Sequence, residues 1–205
     1  YVFHLAAQAI VSKGFKDPLE TFTTNTIGSL NILESIRKNL DKCIIVMITS
    51  DKVYENFEWF YGYREIDKLG GKDPYSASKA SAEIAIRSYY ESFFKNSPIL
   101  LATARAGNVI GGGDWSEDRL IPDCIRSWMK NEDVIIRNPK STRPWQHVFE
   151  PINGYLLLTE KLTFNNKLSG ESFNFGPDNF NDINVETAVQ KISRYWGSYA
   201  NYKID

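Results

Sequence analysis

Apolar residues recur along this chain in two patterns. Val2–Ala7, Cys43–Ile48 and Ile99–Ala106 are short, nearly continuous apolar runs. Such runs suit strands buried on both faces, as in parallel sheets. Between them lie longer stretches with helical spacing. From Asp17 to about Lys38, Ile27, Leu30, Ile32, Leu33 and Ile36 form a helical stripe. That stretch opens on Asp17-Pro18 with Glu20 three residues after the aspartate, which predicts a capped helix start with proline in its first turn and a capping box. Asp73-Pro74 repeats the device and predicts a helix from Pro74 to about Phe94. The first half therefore reads β-α-β-α-β. Connections of this kind give right-handed crossovers and an open parallel sheet with helices on both faces.

The second half is less regular. It predicts helices over Leu120–Lys130, Pro151–Leu162 and Val185–Trp196, the last capped by Asn184, and short strands over Val134–Arg137 and Ser172–Phe175. No repeat, low-complexity tract or linker interrupts it. In open α/β sheets, ligands bind beyond the carboxyl ends of the strands. The positions of interest are thus Ala7-Gln8, Thr49–Lys52 and Gly107–Trp115.

Composition narrows the choice. The 205 residues carry 24 basic and 25 acidic side chains, a net charge of −1, and 42% are hydrophobic. This is ordinary globular composition. The balance gives no support for nucleic acid or an anionic membrane surface as partner. No apolar run approaches the roughly 18 residues of a spanning helix. With two cysteines and two histidines, no disulfide framework and no metal site is expected. The expected compartment is the reducing cytoplasm.

The strongest chemical signal is Tyr75-Ser76-Ala77-Ser78-Lys79. A tyrosine and a lysine four apart on a helix share a face. The ammonium favours the phenolate, which makes Tyr75 a proton acceptor for an alcohol near neutral pH. The same spacing also occurs by chance on amphipathic helices. Here it follows a strand, a serine-bearing loop and a turn. That order resembles the extended short-chain dehydrogenase/reductase family, whose members bind NAD(P) on a Rossmann sheet and act with a tyrosine, a lysine and a serine or threonine. HLAAQ (His4–Gln8), Asn25 in TTNTIGSLNILE and Thr49-Ser50 match further family segments in order.

Within that family, Asp51-Lys52 after the serine resembles the sugar-nucleotide 4,6-dehydratases, which have Thr-Asp-Glu at this place. TSDKVYEN, GYRE, GGKDPYSASK, RAGNVIGGGDW, DRLIPD and RPWQHVFEP are similar to the branch that acts on CDP-glucose. The resemblance implies an α/β fold: a partial Rossmann-like doubly wound parallel sheet with part of a smaller substrate-binding lobe. Residues 1–110 would be the NAD-binding core without its first βαβ unit. Residues 111–205 would be the lobe, interleaved with returning sheet elements.

It implies NAD as cofactor, CDP-glucose as substrate and a homodimer or higher oligomer. Ser50, Asp51, Lys52, Tyr75 and Lys79 would be catalytic. Leu5, Ala6, Ala7, Asn25, Thr49, Tyr75 and Lys79 would lie on the cofactor, and Asn108, Arg119, Arg143 and Asn174 on the sugar nucleotide. Asp51 would protonate the leaving hydroxyl. Lys52 would stand at the base position, which requires a neutral amine favoured by burial or nearby cations. Gly111-Gly112-Gly113 lacks the dinucleotide spacing and reads as a turn. The resemblance also implies that the glycine fingerprint precedes Tyr1 and that Asp205 lies inside the substrate-binding part. The chain is therefore expected to be an internal fragment that binds NAD weakly by itself. A 4-epimerase, a GDP- or dTDP-sugar dehydratase and an inactive scaffold of the same fold remain the alternatives.

Overall fold

A computed structural model describes residues 1–177 and 183–205. The chain divides into two compact units, residues 1–106 with 149–175, and residues 107–148 with 176–205.

The first unit is built on β1 (Val2–His4), α1 (Val11–Lys16), α2 (Pro18–Phe22), α3 (Gly28–Asn39), β2 (Cys43–Ile48), α4 (Pro74–Tyr89), β3 (Ile99–Ala106), α5 (Phe149–Phe164) and β4 (Ser172–Phe175). Its sheet has the order β1-β2-β3-β4, and every pairing is parallel. Side chains alternate across the sheet. Cys43, Ile45, Met47, Ile99 and Leu101 pack with Leu33 and Ile36 of α3 and Ile86 of α4. Ile44, Val46, Ala102 and Ala104 pack with Tyr155, Leu158 and Leu162 of α5 on the other face. Burial on both faces is what the continuous apolar runs predict, and it defines a doubly wound sheet.

Differences from the expected elements have local causes. The first strand stops at His4, because Gln8 is drawn away into a hydrogen-bonded turn. The helix expected over residues 17–38 is split: α2 and α3 are joined by a π turn, Thr23–Ile27. The second long helix ends in another, Tyr90–Phe94. Both helix starts are capped as the sequence implies. Asp17 accepts from the Glu20 amide at 2.9 Å, and Asp73 from the Ser76 amide at 3.0 Å. The Glu20 carboxylate accepts from Lys13 Nζ at 3.0 Å, on the short helix α1 that the sequence pattern did not reveal.

The second unit packs the helices Leu120–Met129 and Val185–Trp196 around the parallel strand pair Val134–Ile136 and Tyr202–Ile204. Cys124, Trp128, Val134, Ile136 and Val189 form its core. Asn184 caps the second helix by accepting from the Thr187 amide at 2.8 Å. Two-residue strand pairs join Val109–Ile110 to Gln146–His147 and Thr142–Arg143 to Ile183–Asn184. Pairs so short leave no periodicity to read in advance.

Leu162 is fully buried between α5 and the sheet. Leu162→Ala should lower unfolding free energy by about 2–5 kcal/mol, measured by urea denaturation.

Candidate active site

The first turns of α4 carry Tyr75 and Lys79, both buried. Helix and surroundings fit closely there. A methyl group on Gly71 would lie 2.3 Å from the Ala77 backbone nitrogen, and one on Gly14 3.2 Å from that of Tyr75. Glycine at 71 therefore lets the incoming loop lie directly on the first helical turn.

Two strand ends meet this helix. The π turn after α2 places buried Asn25 so that its Oδ1 accepts from the Gln8 amide at 2.9 Å. Its Nδ2 donates to the Gln8 carbonyl at 3.0 Å and to Ser78 Oγ at 2.9 Å. Thr26 Oγ1 donates to the Ser78 carbonyl at 2.9 Å. The segment leaving β1 is thereby clamped to α4. Leu5 and Ala6 stay exposed and Ala7 half-buried. His4, the last residue of β1, has its pKa pushed below the ordinary 6.5 by burial and by the nearby Lys79 charge.

The end of β2 meets the helix through Thr49. Its amide donates to the Ala104 carbonyl at 2.8 Å and its hydroxyl to Glu83 Oε1 at 2.5 Å. Ser50 follows, buried, and caps a 3-10 turn over Asp51–Val53 by accepting from the Lys52 amide at 3.2 Å. The Ser50 hydroxyl donates to Asp51 Oδ1 at 3.1 Å. Lys52 Nζ lies 2.9 Å from Asp51 Oδ2, with side chains 41% and 29% exposed. Buried Val53 packs on Ala80 of α4, beside Lys79. The surroundings expected to neutralise Lys52 are thus not burial and cations but a half-exposed pairing with a carboxylate.

Burial brings the Lys79 ammonium down to about 8 from its ordinary 10.5, against a partly compensating pull from Glu83. An amine titrating there sits next to a phenol at the carboxyl edge of a parallel sheet, a combination suited to proton transfer with an alcohol.

The remaining predicted residues fall in separate places. Asn174 is on β4, where its Oδ1 accepts from the Tyr54 hydroxyl at 2.6 Å and its Nδ2 donates to the Tyr63 carbonyl at 2.9 Å. Asn108, Arg119 and Arg143 belong to the second unit. There the Asn108 carbonyl accepts from the Gln146 amide, Arg119 lies 3.6 Å from Asp114, and Arg143 Nη1 donates to the Thr142 carbonyl. The Nε of Arg119 is buried with no hydrogen-bond partner among the described residues.

Sequence reasoning passed over the buried pair Glu83–Arg105, whose side chains are each 3% exposed. Its signal was present: an arginine inside the apolar run ILLATARA, and a glutamate four residues after Lys79 on the same helical face.

The sequence profile of the GDP-mannose 4,6 dehydratase family matches residues 1–200. The chain belongs to this family. It is 46% identical to the CDP-glucose 4,6-dehydratase of Salmonella typhimurium over 100% of its own length and 58% of that protein's. Its fold is shared with UDP-glucuronic acid 4-epimerase from Bacillus cereus, solved with UDP-glucuronic acid and NAD. That match has a TM-score of 0.86 at 21% identity and covers 99% of this chain and 62% of the other. The dTDP-glucose 4,6-dehydratase DesIV from Streptomyces venezuelae, solved with NAD and TYD, gives 0.82 at 18% identity, with 99% and 59% covered. The chain thus spans less than two thirds of the length of these relatives.

The Lys79 environment predicts a pH dependence of stability. Between about pH 8 and 10.5 the folded protein has released this proton while the unfolded chain retains it. The unfolded state binds more protons in that window, so the Lys79 contribution to stability rises with pH by up to ~1.4 kcal/mol per unit and is flat below it. Denaturation across this window should show the stability of wild type rising with pH relative to Lys79→Met, which lacks the buried ammonium.

Proposed function

We propose that this chain carries the catalytic centre of a CDP-glucose 4,6-dehydratase, converting CDP-D-glucose to CDP-4-dehydro-6-deoxy-D-glucose and water with bound NAD. The observation that carries the reading is the joining of the Ser50-Asp51-Lys52 strand tip to the Tyr75–Lys79 helix within one compact unit. The 46% identity to the Salmonella enzyme of that name supports the substrate. NAD in the two structural neighbours supports the cofactor. Homo-oligomerisation belongs to the proposal, and so does a cytoplasmic setting.

The residues present suit a nicotinamide nucleotide. The exposed Leu5–Ala6 segment at the end of β1, the main chain of Thr49, whose hydroxyl is turned to Glu83 instead, and the buried Lys79 ammonium offer an apolar edge and a cationic donor for ribose hydroxyls. Asn25, with its amide engaged at Gln8 and Ser78, acts by holding that edge in place. When bound, NAD accepts a hydride from C4 of the sugar and returns it to C6, so no net oxidation results.

The chain's own residues move the protons. Tyr75, as phenolate favoured by Lys79, takes the proton of the C4 hydroxyl, and Ser50 hydrogen-bonds the same oxygen. The resulting ketone acidifies the C5 hydrogen. Elimination of the C6 hydroxyl then needs a base for C5 and an acid for the leaving oxygen. Asp51 and Lys52, 2.9 Å apart, are assigned these two roles, Asp51 as the acid and Lys52 as the base. Lys52 takes the C5 proton and Asp51 protonates the departing hydroxyl, which leaves as water. Asn108, Arg119 and Arg143 are assigned to the nucleotide diphosphate and sugar, where guanidinium pairs with phosphate oxygens. Asn174, which holds the Tyr54–Tyr63 segment, is assigned to the sugar nucleotide as well.

Tyr75→Phe should lower kcat on CDP-glucose by about 10²–10⁴-fold, followed by mass-spectrometric detection of water loss. Asp51→Asn should abolish the dehydrated product while CDP-glucose affinity stays within about twofold of wild type. Wild-type turnover by Asp51→Asn would remove the dehydratase reading.

A further inference from the structure

Glu83 has no part in the proton transfers above. It lies one helical turn past Lys79 and two past Tyr75, so the three share a face of α4. Its carboxylate accepts from Arg105 Nε at 2.8 and 3.0 Å, and from Arg105 Nη2. It also accepts from the Thr49 hydroxyl at 2.5 Å. Arg105 Nη1 reaches the Tyr54 hydroxyl at 2.7 Å and the Glu65 carbonyl at 3.0 Å. A buried carboxylate requires a charged partner, and Arg105 alone meets that requirement. The Thr49 contact is additional, and it runs to the residue immediately before Ser50. It is a side-chain hydrogen bond from α4 to the strand tip.

We propose that Glu83 is a positioning residue: through Thr49 it holds the Ser50–Asp51 strand tip in register with Tyr75 and Lys79. This rests on the reading that Ser50, Tyr75 and Lys79 act on one sugar. Two sets of reacting groups on different elements must be held to a fraction of an ångström, and small misplacement costs rate rather than binding. The hydrogen bond to Thr49 adds a side-chain restraint just after β2 ends at Ile48 and before the 3-10 turn begins at Asp51, beside the backbone bond from the Thr49 amide to Ala104.

Thr49→Val removes the hydroxyl and leaves the ion pair whole. In the protein with NAD, kcat on CDP-glucose should fall about tenfold, with KM and the Kd for NAD within about twofold. Thr49→Ser should restore wild-type rates. Amide hydrogen exchange at residues 50–53 should quicken about tenfold in Thr49→Val, with residues 44–47 unchanged. In a Glu83→Leu/Arg105→Met background, where apolar groups of similar size replace the pair, Thr49→Val should add less than about twofold. Three results overturn the proposal: unchanged exchange at 50–53 in Thr49→Val, a loss of NAD affinity that accounts for the lost rate, or an undiminished Thr49→Val effect in the double background. Absence of any wild-type dehydration of CDP-glucose would instead count against the functional reading, and the exchange measurement would still decide the linkage.

Discussion

The first unit depends on one buried ion pair. Arg105 enters the face of the sheet that packs against α4, among side chains that are otherwise apolar or hydroxylic. A guanidinium there is tolerable only when it is paired and hydrogen-bonded, and Glu83, Tyr54 and the Glu65 carbonyl engage all three of its nitrogens. Removing either partner of such a pair typically costs about 3–5 kcal/mol, because the other is left charged and unpaired. The constraint reaches beyond the pair. Tyr54 stacks on Tyr63 at 5.0 Å and donates to Asn174. The Glu65 carboxylate accepts from the Asn174 amide at 2.9 Å. The long loop between β2 and α4 is thus tied to β3 and β4 at several points, and its return brings Gly71 onto the start of α4.

Much of this fold was legible because it is local. Strands buried on both faces announce themselves as CIIVMI and ILLATARA, and Asp-Pro starts announce the helices. The Tyr75–Lys79 spacing is likewise a property of a single helix. What was not legible depends on partners distant in sequence. By pattern alone Asn25 is one more polar residue on a helix, singled out only by the family resemblance, yet a π turn points its amide at Gln8 and Ser78, 17 and 53 residues away. Inserted π turns are frequent near functional sites because they turn a side chain out of the helical register. No periodicity argument contains that information. Arg105 was visible as an anomaly in an apolar run, but its glutamate lies 22 residues earlier, and only the packing of α4 on the sheet identifies it.

Helix α4 has two duties that separate along its length. Its first turns present Tyr75 and Lys79 and are clamped from outside by Asn25, Thr26 and the loop at Gly71. Further along, Glu83 and Ile86 face β2 and β3, binding it to the sheet through a charge pair and an apolar contact. A helix anchored along one half can hold a reactive pair at the other without that pair itself contributing to stability. This arrangement accommodates an ammonium as deeply buried as Lys79, whose desolvation works against folding at neutral pH.

Two of the ion pairs of this unit contrast in a way that fits the tasks proposed for them. Glu83–Arg105 is nearly inaccessible and multiply hydrogen-bonded. Asp51–Lys52 joins adjacent residues, is partly exposed on both side chains, and makes a single 2.9 Å contact. An exposed pair of that kind is worth little in stability, roughly 0–1 kcal/mol, so either partner can give up or accept a proton at small structural cost. The acid and base proposed for the elimination are of the second kind, whereas a change of charge in the first would leave its partner buried and unpaired. On the proposed function, the positions where this chain holds its charges tightly and loosely separate the residues assigned to the geometry from the acid and base assigned to the elimination.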